Sequence, residues 1–199
     1  MLLVDDDIDL FKETFQVLDK DIKYLEKHAM PFSGFAFREV NKSPSSEPEQ
    51  FYQEIDFGRI GRLMKLAQLI GYYPTRAGLI SPCAMQGSYA RQYIWMPEGL
   101  VRVEWAPSGC MVVNRDLCSE IIFDDFFSDY GYLEDVDYSA RLAAVAPLYS
   151  NRNYTFGHTP IDKNGFKFGL KEIANRKYLA TKLDKDIFFC WVSLLIRSI

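Results

Sequence analysis

The stretch that decides the fold runs from Trp105 to Arg141 and reads WAPSGCMVVNRDLCSEIIFDDFFSDYGYLEDVDYSAR. A turn of small residues at 107–109 precedes the apolar run Cys110 to Val113, which predicts a buried strand. A loop rich in aromatic and acidic residues then leads to the pair Glu134-Asp135. Acidic side chains favour the first turn of a helix, so we predict a helix that begins here and is stopped by Pro147.

A second acidic group, Asp5-Asp6-Asp7, follows the apolar residues Leu2 to Val4 near the start of the chain. The apolar residues predict a short buried strand with the aspartates at its C-terminal end, where open α/β sheets bind ligands. A helix is predicted next, because apolar residues recur on one face at spacings of four and three. These apolar residues are Phe11, Phe15, Leu18, Ile22 and Leu25.

Composition limits the classes of protein that the chain can represent. With 199 residues, 48% of them apolar, one domain spanning residues 1–199 is expected. The net charge of −4 argues against a nucleic-acid partner. The four cysteines show no CxxC spacing, which predicts reduced, mostly buried thiols in a cytoplasmic protein. The 15% of aromatic residues suits either a large core or a sugar-binding surface.

Three parts of this domain carry its organisation. Residues 1–31 form the unit with the acidic triplet and the first helix, and residues 100–146 form the central part around Trp105–Arg141. Strands are predicted at Phe32–Val40 and Leu100–Trp105. Between them we expect a polar loop, a mixed helical pattern and an irregular run with one strand. These three segments are residues 43–48, Ile55–Tyr73 and 76–95.

The third part, residues 163–199, is a basic and then apolar tail. Residues 163–185 hold seven Lys and Arg against two Asp and Glu, and residues 187–196 are mostly apolar. A membrane span needs about twenty apolar residues, so we expect this run to be a core helix, an interfacial segment or the beginning of a truncated segment. The basic residues suit a diphosphate, a lipid-phosphate acceptor or the inner face of an anionic membrane, which would make the contact peripheral. A solvated helix face is the alternative.

The order of these motifs resembles the acceptor-side half of family 2 glycosyltransferases of the GT-A fold. In that family a glycine-bearing strand and a basic residue precede an aromatic loop and a Glu-Asp pair that opens a helix. Asp5 to Asp7 resemble the family's DXD motif, which binds metal and nucleotide. The resemblance implies an α/β, Rossmann-like mixed sheet flanked by helices. It also implies metal-dependent, inverting transfer of a sugar from a nucleotide-diphosphate donor to a saccharide or lipid-linked acceptor, as in cell-envelope polysaccharide biosynthesis.

The resemblance also assigns roles to the two acidic groups. Asp135 would be the catalytic base, with Glu134 beside it as an acceptor-positioning group or an alternative base. Asp5 and Asp7 would hold Mg²⁺ or Mn²⁺, and Asp5 or Asp6 would meet the nucleotide ribose. His158 lies where some family members supply a further metal ligand. Helix capping for both acidic groups, and an ordinary loop role for the histidine, are the alternatives.

Further residues around the central stretch complete the expected site. Ser108, Gly109 and Arg115 are expected at the donor, with the glycine allowing close approach of the backbone and the arginine either facing phosphate or bracing the acidic loop. Trp105 and Tyr132 are expected at the acceptor, although Trp105 suits packing in the core equally well.

The chain also departs from the family pattern. Family members carry βα units ahead of the acidic triplet that hold the nucleotide base, so the predicted fold is N-terminally incomplete and a separate N-terminal half is an expected partner. Weak or absent turnover by the chain alone follows. The QxxRW signature of processive synthases is missing, which favours transfer of single sugars.

Two alternatives from other classes remain open. One is a non-catalytic glycosyltransferase remnant or interaction module. The other is a response-regulator receiver, because LLVDDDIDL is similar to a receiver's first strand. A receiver needs a second apolar strand ending in aspartate, and the corresponding SSEPEQFYQEID at residues 45–56 has none.

Overall fold

The structure is a computed structural model that describes most of the chain outside its middle third. The described residues are 1–5, 8–40, 79–80, 86–87, 99–106, 109–127, 132–158, 165–185, 187–188 and 191, with backbone only at 38–40, 79–80, 86–87, 152, 158 and 165–169. The predictions for residues 43–48, for Ile55–Tyr73 and for most of residues 76–95 lie outside them.

The described elements are eight strands, four helices and one 3₁₀ turn. The strands are β1 (Leu2–Val4), β2 (Ile8–Leu10), β3 (Gly34–Val40), β4 (Leu79–Ile80), β5 (Gln86–Gly87), β6 (Leu100–Val103), β7 (Cys110–Val113) and β8 (Leu148–His158). The helices are α1 (Lys12–Lys27), α2 (Arg115–Cys118), α3 (Glu134–Val145) and α4 (Gly165–Lys182), with a 3₁₀ turn at Asp125–Phe127. The predicted helices after Phe11 and at Glu134 and the predicted strands at 32–40, 100–105 and 110–113 are therefore confirmed.

Six of these strands form one mixed sheet. The order is β1-β7-β3-β8, and β8 is flanked on its far side by β6 along its first half and by β2 along its second half. β3 and β8 run parallel, whereas β7 is antiparallel to both β1 and β3. β4 and β5 pair separately as a short hairpin. The expected mixed α/β sheet is thus present.

The first strand corrects one prediction. Leu2–Val4 does form a strand, but β1 lies at the edge of the sheet and pairs, among the described strands, with β7 alone. Leu2 and Val4 are each 43% exposed, so the strand is not buried. The apolar run predicted a strand correctly, but three residues do not show whether the strand is central or lies at an edge.

Alternating side chains of the sheet serve two different cores. On one face Phe35, Phe37 and Cys110 pack with Leu18 and Leu25 of α1. On the other face Ala36, Met111 and Val113 pack with Tyr138 and Leu142 of α3. This division follows from the period of two in a strand. It gives three layers, with α1 below the sheet and α3 above it.

A glycine sets how closely two central strands approach. A Cβ on Gly34 would lie 2.3 Å from the carbonyl oxygen of Val112 in β7. Because backbone cannot move aside as a flexible side chain does, any larger residue would force β3 and β7 apart.

The buried face of α1 differs from the predicted one at two places, each shifted by one position along the helix. Its buried residues are Thr14, Leu18, Asp21 and Leu25. Asp21 accepts hydrogen bonds from Asn151 Nδ2 at 2.9 Å and from the Tyr154 hydroxyl at 2.6 Å. Two polar residues therefore replace Phe15 and Ile22, which are only half-buried.

The third core joins α3 to α4 and includes the tryptophan of the central stretch. Trp105, Phe127, Leu133 and Val136 pack there with Leu179 of α4. Among the helices of the described ranges, none is long and apolar enough to cross a membrane.

Candidate functional site

The C-terminal ends of β1 and β8 and the N-terminal ends of β2 and β7 lie at the same end of the sheet. The backbone N–H of Asp5, just after β1, donates to the carbonyl of Gly109 at 3.1 Å. Ile8, which opens β2, is paired with His158 at the end of β8. The carboxyl ends of parallel strands are the common place for ligands in such sheets. The backbone thus brings Asp5, Ile8, Gly109 and His158 to the same end of the sheet.

The second acidic group reaches the same place. Burial raises the pKa of the Glu134 carboxyl, and the negative charge of Asp5 raises it further. The charge of Asp5 thus acts on Glu134, although 129 positions separate the two residues in the chain.

Gly109 sits between these groups for a reason that differs from the expected one. A Cβ at this position would lie 3.0 Å from the ring of Phe156 and 3.6 Å from Oδ2 of Asp5. The glycine therefore admits a ring of β8 and the side chain of Asp5. Whether a donor sugar also approaches here stays a prediction.

The neighbouring thiol also senses Asp5. Burial, and after it the charge of Asp5, raise the pKa of Cys110 to about 12. Cys110 and Cys118 are both buried and free, as the sequence predicts for reduced thiols. A thiol with such a pKa stays protonated at neutral pH and does not act as a nucleophile.

Asp135 is held by its own helix and by a serine one turn later. Its Oδ1 accepts from the backbone N–H of Val136 at 2.8 Å, and its carbonyl accepts from the Ser139 hydroxyl at 2.5 Å. The same hydroxyl oxygen accepts from the backbone N–H of Ala106 at 3.0 Å. Ser139 thus ties the helix that carries the acid pair to the segment that leads towards Gly109.

Tyr132 is engaged by α4. Its carbonyl accepts from Asn175 Nδ2 at 2.6 Å, and its hydroxyl oxygen accepts from Arg176 Nη2 at 3.0 Å. Arg176 is fully buried and is held by Glu172 through Nε at 2.8 Å. The predicted acceptor residue is therefore half-buried in an inter-helix contact.

A charged network joins the same two helices further along. The buried carboxylate of Asp137 contacts Arg141 Nη2 and Lys182 Nζ, both at 2.7 Å. Lys182 also contacts Asp124 at 2.5 Å, and Asp124 accepts from the Tyr178 hydroxyl at 2.8 Å. Arg176 and Lys182 are thus occupied inside the protein and are not available to the ligands proposed for the basic tail.

Two expected site residues lie elsewhere. Trp105 is only 3% exposed within the third core, so its ring offers almost no face to a sugar and the packing alternative is the one that the structure shows. Arg115 follows the far end of β7, roughly 13 Å of strand beyond Gly109 at about 3.3 Å per residue. β7 runs from one end of the sheet, where Gly109 lies, to the opposite end, so Arg115 lies away from the expected donor site.

Part of the predicted metal and donor site lies outside the described residues. The predicted metal ligand Asp7, the side chain of the predicted metal ligand His158, and the predicted donor residues Asp6 and Ser108 are not described. Within the described ranges, no three His, Cys, Asp or Glu side chains are grouped to hold a metal ion.

Three residues that hold the region of the acid pair were not predicted: Ser139, Asn175 and Arg176. Arg176 forms an i,i+4 pair with Glu172, but such a pair suits an exposed helix surface as well as a buried one.

Comparison of the chain with protein-family models, with curated proteins and with solved structures returned no match in any of the three. The interpretation of the site therefore depends on its own residues.

Proposed function

We propose that the chain is the acceptor-side part of a metal-dependent, inverting glycosyltransferase of the GT-A type. The donor would be a nucleotide-diphosphate sugar, and the acceptor a saccharide or a lipid-linked saccharide. The main support is that the Asp5 backbone lies beside Gly109, at 3.1 Å, and that the charge of Asp5 acts on Glu134. A sugar transferase needs its metal-binding and acceptor-activating carboxylates around one sugar.

Asp5, Asp7 and His158 would hold Mg²⁺ or Mn²⁺, which neutralises the charge that develops on the leaving diphosphate. Hard divalent cations prefer carboxylate oxygens, which suits an aspartate triplet. The pairing of His158 with Ile8 supports this set, because it brings the histidine backbone next to the triplet. Asp6 would meet the ribose, and Ser108 and Gly109 would flank the donor sugar.

Asp135 would act as the base. The acceptor oxygen attacks the anomeric carbon from the side opposite the diphosphate, and its proton passes to the Asp135 carboxylate. The glycosyl–phosphate bond breaks, the nucleoside diphosphate leaves with the bonding electrons, and the configuration inverts. The raised pKa of Glu134 means that this group keeps its proton to a higher pH than usual.

A partner is proposed at the free edge of β1. In the antiparallel pairing with β7 the backbone groups of Met1 and Asp5 face β7, so those of Leu2 and Val4 alternate towards the open edge. Such an edge can accept a further strand. A separate polypeptide that supplies nucleotide-binding βα units would fit there. The peripheral membrane contact of the tail stays a prediction.

Binding of Mn²⁺ together with a nucleoside diphosphate tests the donor site. We expect the chain to bind Mn²⁺ with UDP or GDP in calorimetry and in Mn²⁺ electron paramagnetic resonance, and Asp7→Ala to lose this binding. Asp9→Ala is the matched control, because Asp9 is an exposed aspartate on the next strand and should leave binding intact.

Equal binding by Asp7→Ala and the unchanged chain would exclude the proposed donor site. Metal-dependent binding without any sugar transfer, even when nucleotide-binding units are supplied, would instead favour the non-catalytic interaction module. Labelling of an aspartate by acetyl phosphate would favour the receiver. The antiparallel pairings of β1 and β2 speak against that fold, whose sheet is parallel.

A further inference from the structure

Tyr132, two residues before the acid pair, is held through both its backbone and its side chain. Asn175 binds the carbonyl of Tyr132, and Arg176 binds its hydroxyl, at 2.6 and 3.0 Å. The Arg176 guanidinium carbon also lies 5.6 Å from the centroid of the Tyr132 ring. Two adjacent residues of α4 therefore fix both the backbone and the side chain of Tyr132.

The next residue has an unusual backbone. Leu133 has a φ of +72°, in the left-handed region that a leucine adopts only at a cost in free energy. Its side chain is 2% exposed in the core with Val136 and Leu179, and its carbonyl accepts from the backbone N–H of Asp137 at 3.2 Å. Leu133 thus sets the direction in which α3 begins, and contacts on both sides hold it there.

One of the two residues that hold Tyr132 carries a buried charge, which costs free energy to bury. Arg176 is completely buried, its Nε is paired with Glu172, and no hydrogen-bond acceptor for its Nη1 is found in the described part of the chain. Well-packed apolar residues often give equal or better stability than buried charges. General stability therefore does not account for an arginine here, whereas fixing the Tyr132 hydroxyl at one point does.

We propose that Asn175 and Arg176 are positioning residues, which hold Tyr132 and the left-handed Leu133 and so fix the direction in which the first turn of α3 presents Glu134 and Asp135. Neither residue touches the reacting atoms in this scheme. The proposed role of Tyr132 therefore differs from the predicted one. Its ring does not stack on the acceptor, and its contacts with α4 orient the acid pair. The catalytic consequence rests on the proposed function, but the positioning itself does not.

Native-state hydrogen exchange of the Asp137 amide tests the positioning. Tyr132→Phe keeps the ring and removes the hydroxyl, and Asn175→Ala removes the other contact. Each should speed this exchange about tenfold, the effect of losing one hydrogen bond to a charged or well-aligned partner. Tyr154→Phe is the control, because it removes another buried hydroxyl that is bonded to Asp21, on the opposite face of the sheet.

The control separates local positioning from general destabilisation. If exchange at Asp137 only reports global stability, Tyr154→Phe will speed it at least as much, and the proposal is overturned. Unchanged exchange in both Tyr132→Phe and Asn175→Ala would overturn it as well.

The catalytic consequence has its own readout. In a preparation that transfers sugar, Tyr132→Phe should lower kcat about tenfold and leave the affinity for Mn²⁺ with UDP unchanged, since the donor site is not altered. An unchanged kcat would remove the catalytic meaning. Absence of transfer by every preparation would count against the proposed function, and the exchange result would still decide the positioning.

Discussion

Asp5 is the residue through which the two acidic groups of the chain influence each other. Its charge raises the pKa of both Cys110 and Glu134, so it affects groups on a strand and on a helix. The sequence alone does not show this influence of one group on the other. The prediction that both groups belong to one site came from the resemblance, and it stays a prediction.

Asp5→Asn should lower the pKa of Glu134 part of the way towards that of an ordinary glutamate. The change is partial because burial, the larger cause, remains. The measurement is a titration of the Glu134 carboxyl carbon by nuclear magnetic resonance, with Asp9→Asn as the control. A raised pKa in the folded state means that Glu134 opposes folding as the pH rises above about 4.3, its unfolded value, and Asp5→Asn should reduce this cost. An unaltered titration would show that the two carboxyls are not neighbours.

Glycines show what single residues reveal and conceal in a sequence. The glycine at 109 was identified correctly as a place of close approach, but the approaching groups are the Phe156 ring and Asp5. Gly34 gave no signal in the sequence, although it is the more restrictive position, because a Cβ there would lie 2.3 Å from the Val112 carbonyl oxygen. The partner of a glycine lies elsewhere in the chain, so a local pattern does not name it.

At the scale of elements, α3 and α4 are joined by ions as well as by their shared core. Lys182 contacts both Asp124 and Asp137, and the Asp137 side chain is fully buried. Hydrogen bonds from Lys182 first, and then from the Phe126 backbone and the Tyr178 hydroxyl, hold the pKa of Asp124 well below its usual range. The network places α4 against the start of α3.

Lys182→Met should lower the free energy of unfolding by about 3 kcal/mol at neutral pH, because it leaves a buried carboxylate short of one cation. Urea denaturation measures the change, and Lys177→Met, an exposed lysine of the same helix, should change it by about 0.5 kcal/mol or less.

The same variant has a defined pH dependence. Asp124 has a depressed pKa, so the stability it contributes is present above about pH 4, the unfolded value, and is lost as the pH falls below it. The difference between Lys182→Met and the unchanged chain should therefore shrink in acid. A difference that stays constant from pH 7 to pH 3 would contradict this role of Lys182.

Elements with a clear period were predictable and elements with mixed polarity were not. The spacing of apolar residues located α1, and the apolar run located β7. β8 was missed because its middle carries Asn151 and Thr155, which look like surface residues but are buried against α1. β2 was missed because three residues next to an acidic triplet have too little pattern. Tertiary partners supply what these two strands lack.

At the scale of the whole molecule, the sequence predicted the class of fold but not its edges. A mixed sheet between helices was expected and is present. The position of β1 at the rim was not, because only pairing in three dimensions distinguishes a rim strand from a central one. This position has a consequence for function, since the carboxyl end of β1 carries the acidic triplet.

We expect the purified chain to release nucleoside diphosphate from UDP-hexose weakly or not at all, and to gain turnover when nucleotide-binding βα units pair with β1. The reason is the open edge beside Asp5, where Leu2 and Val4 are each 43% exposed and their outward backbone groups suit a further strand. A fusion of such units from a complete glycosyltransferase to the chain, compared with the chain alone, gives the measurement. Asp135→Asn in the fusion is the control and should abolish the gain. Rapid turnover by the chain alone would show that the site at the end of β1 needs no added strand.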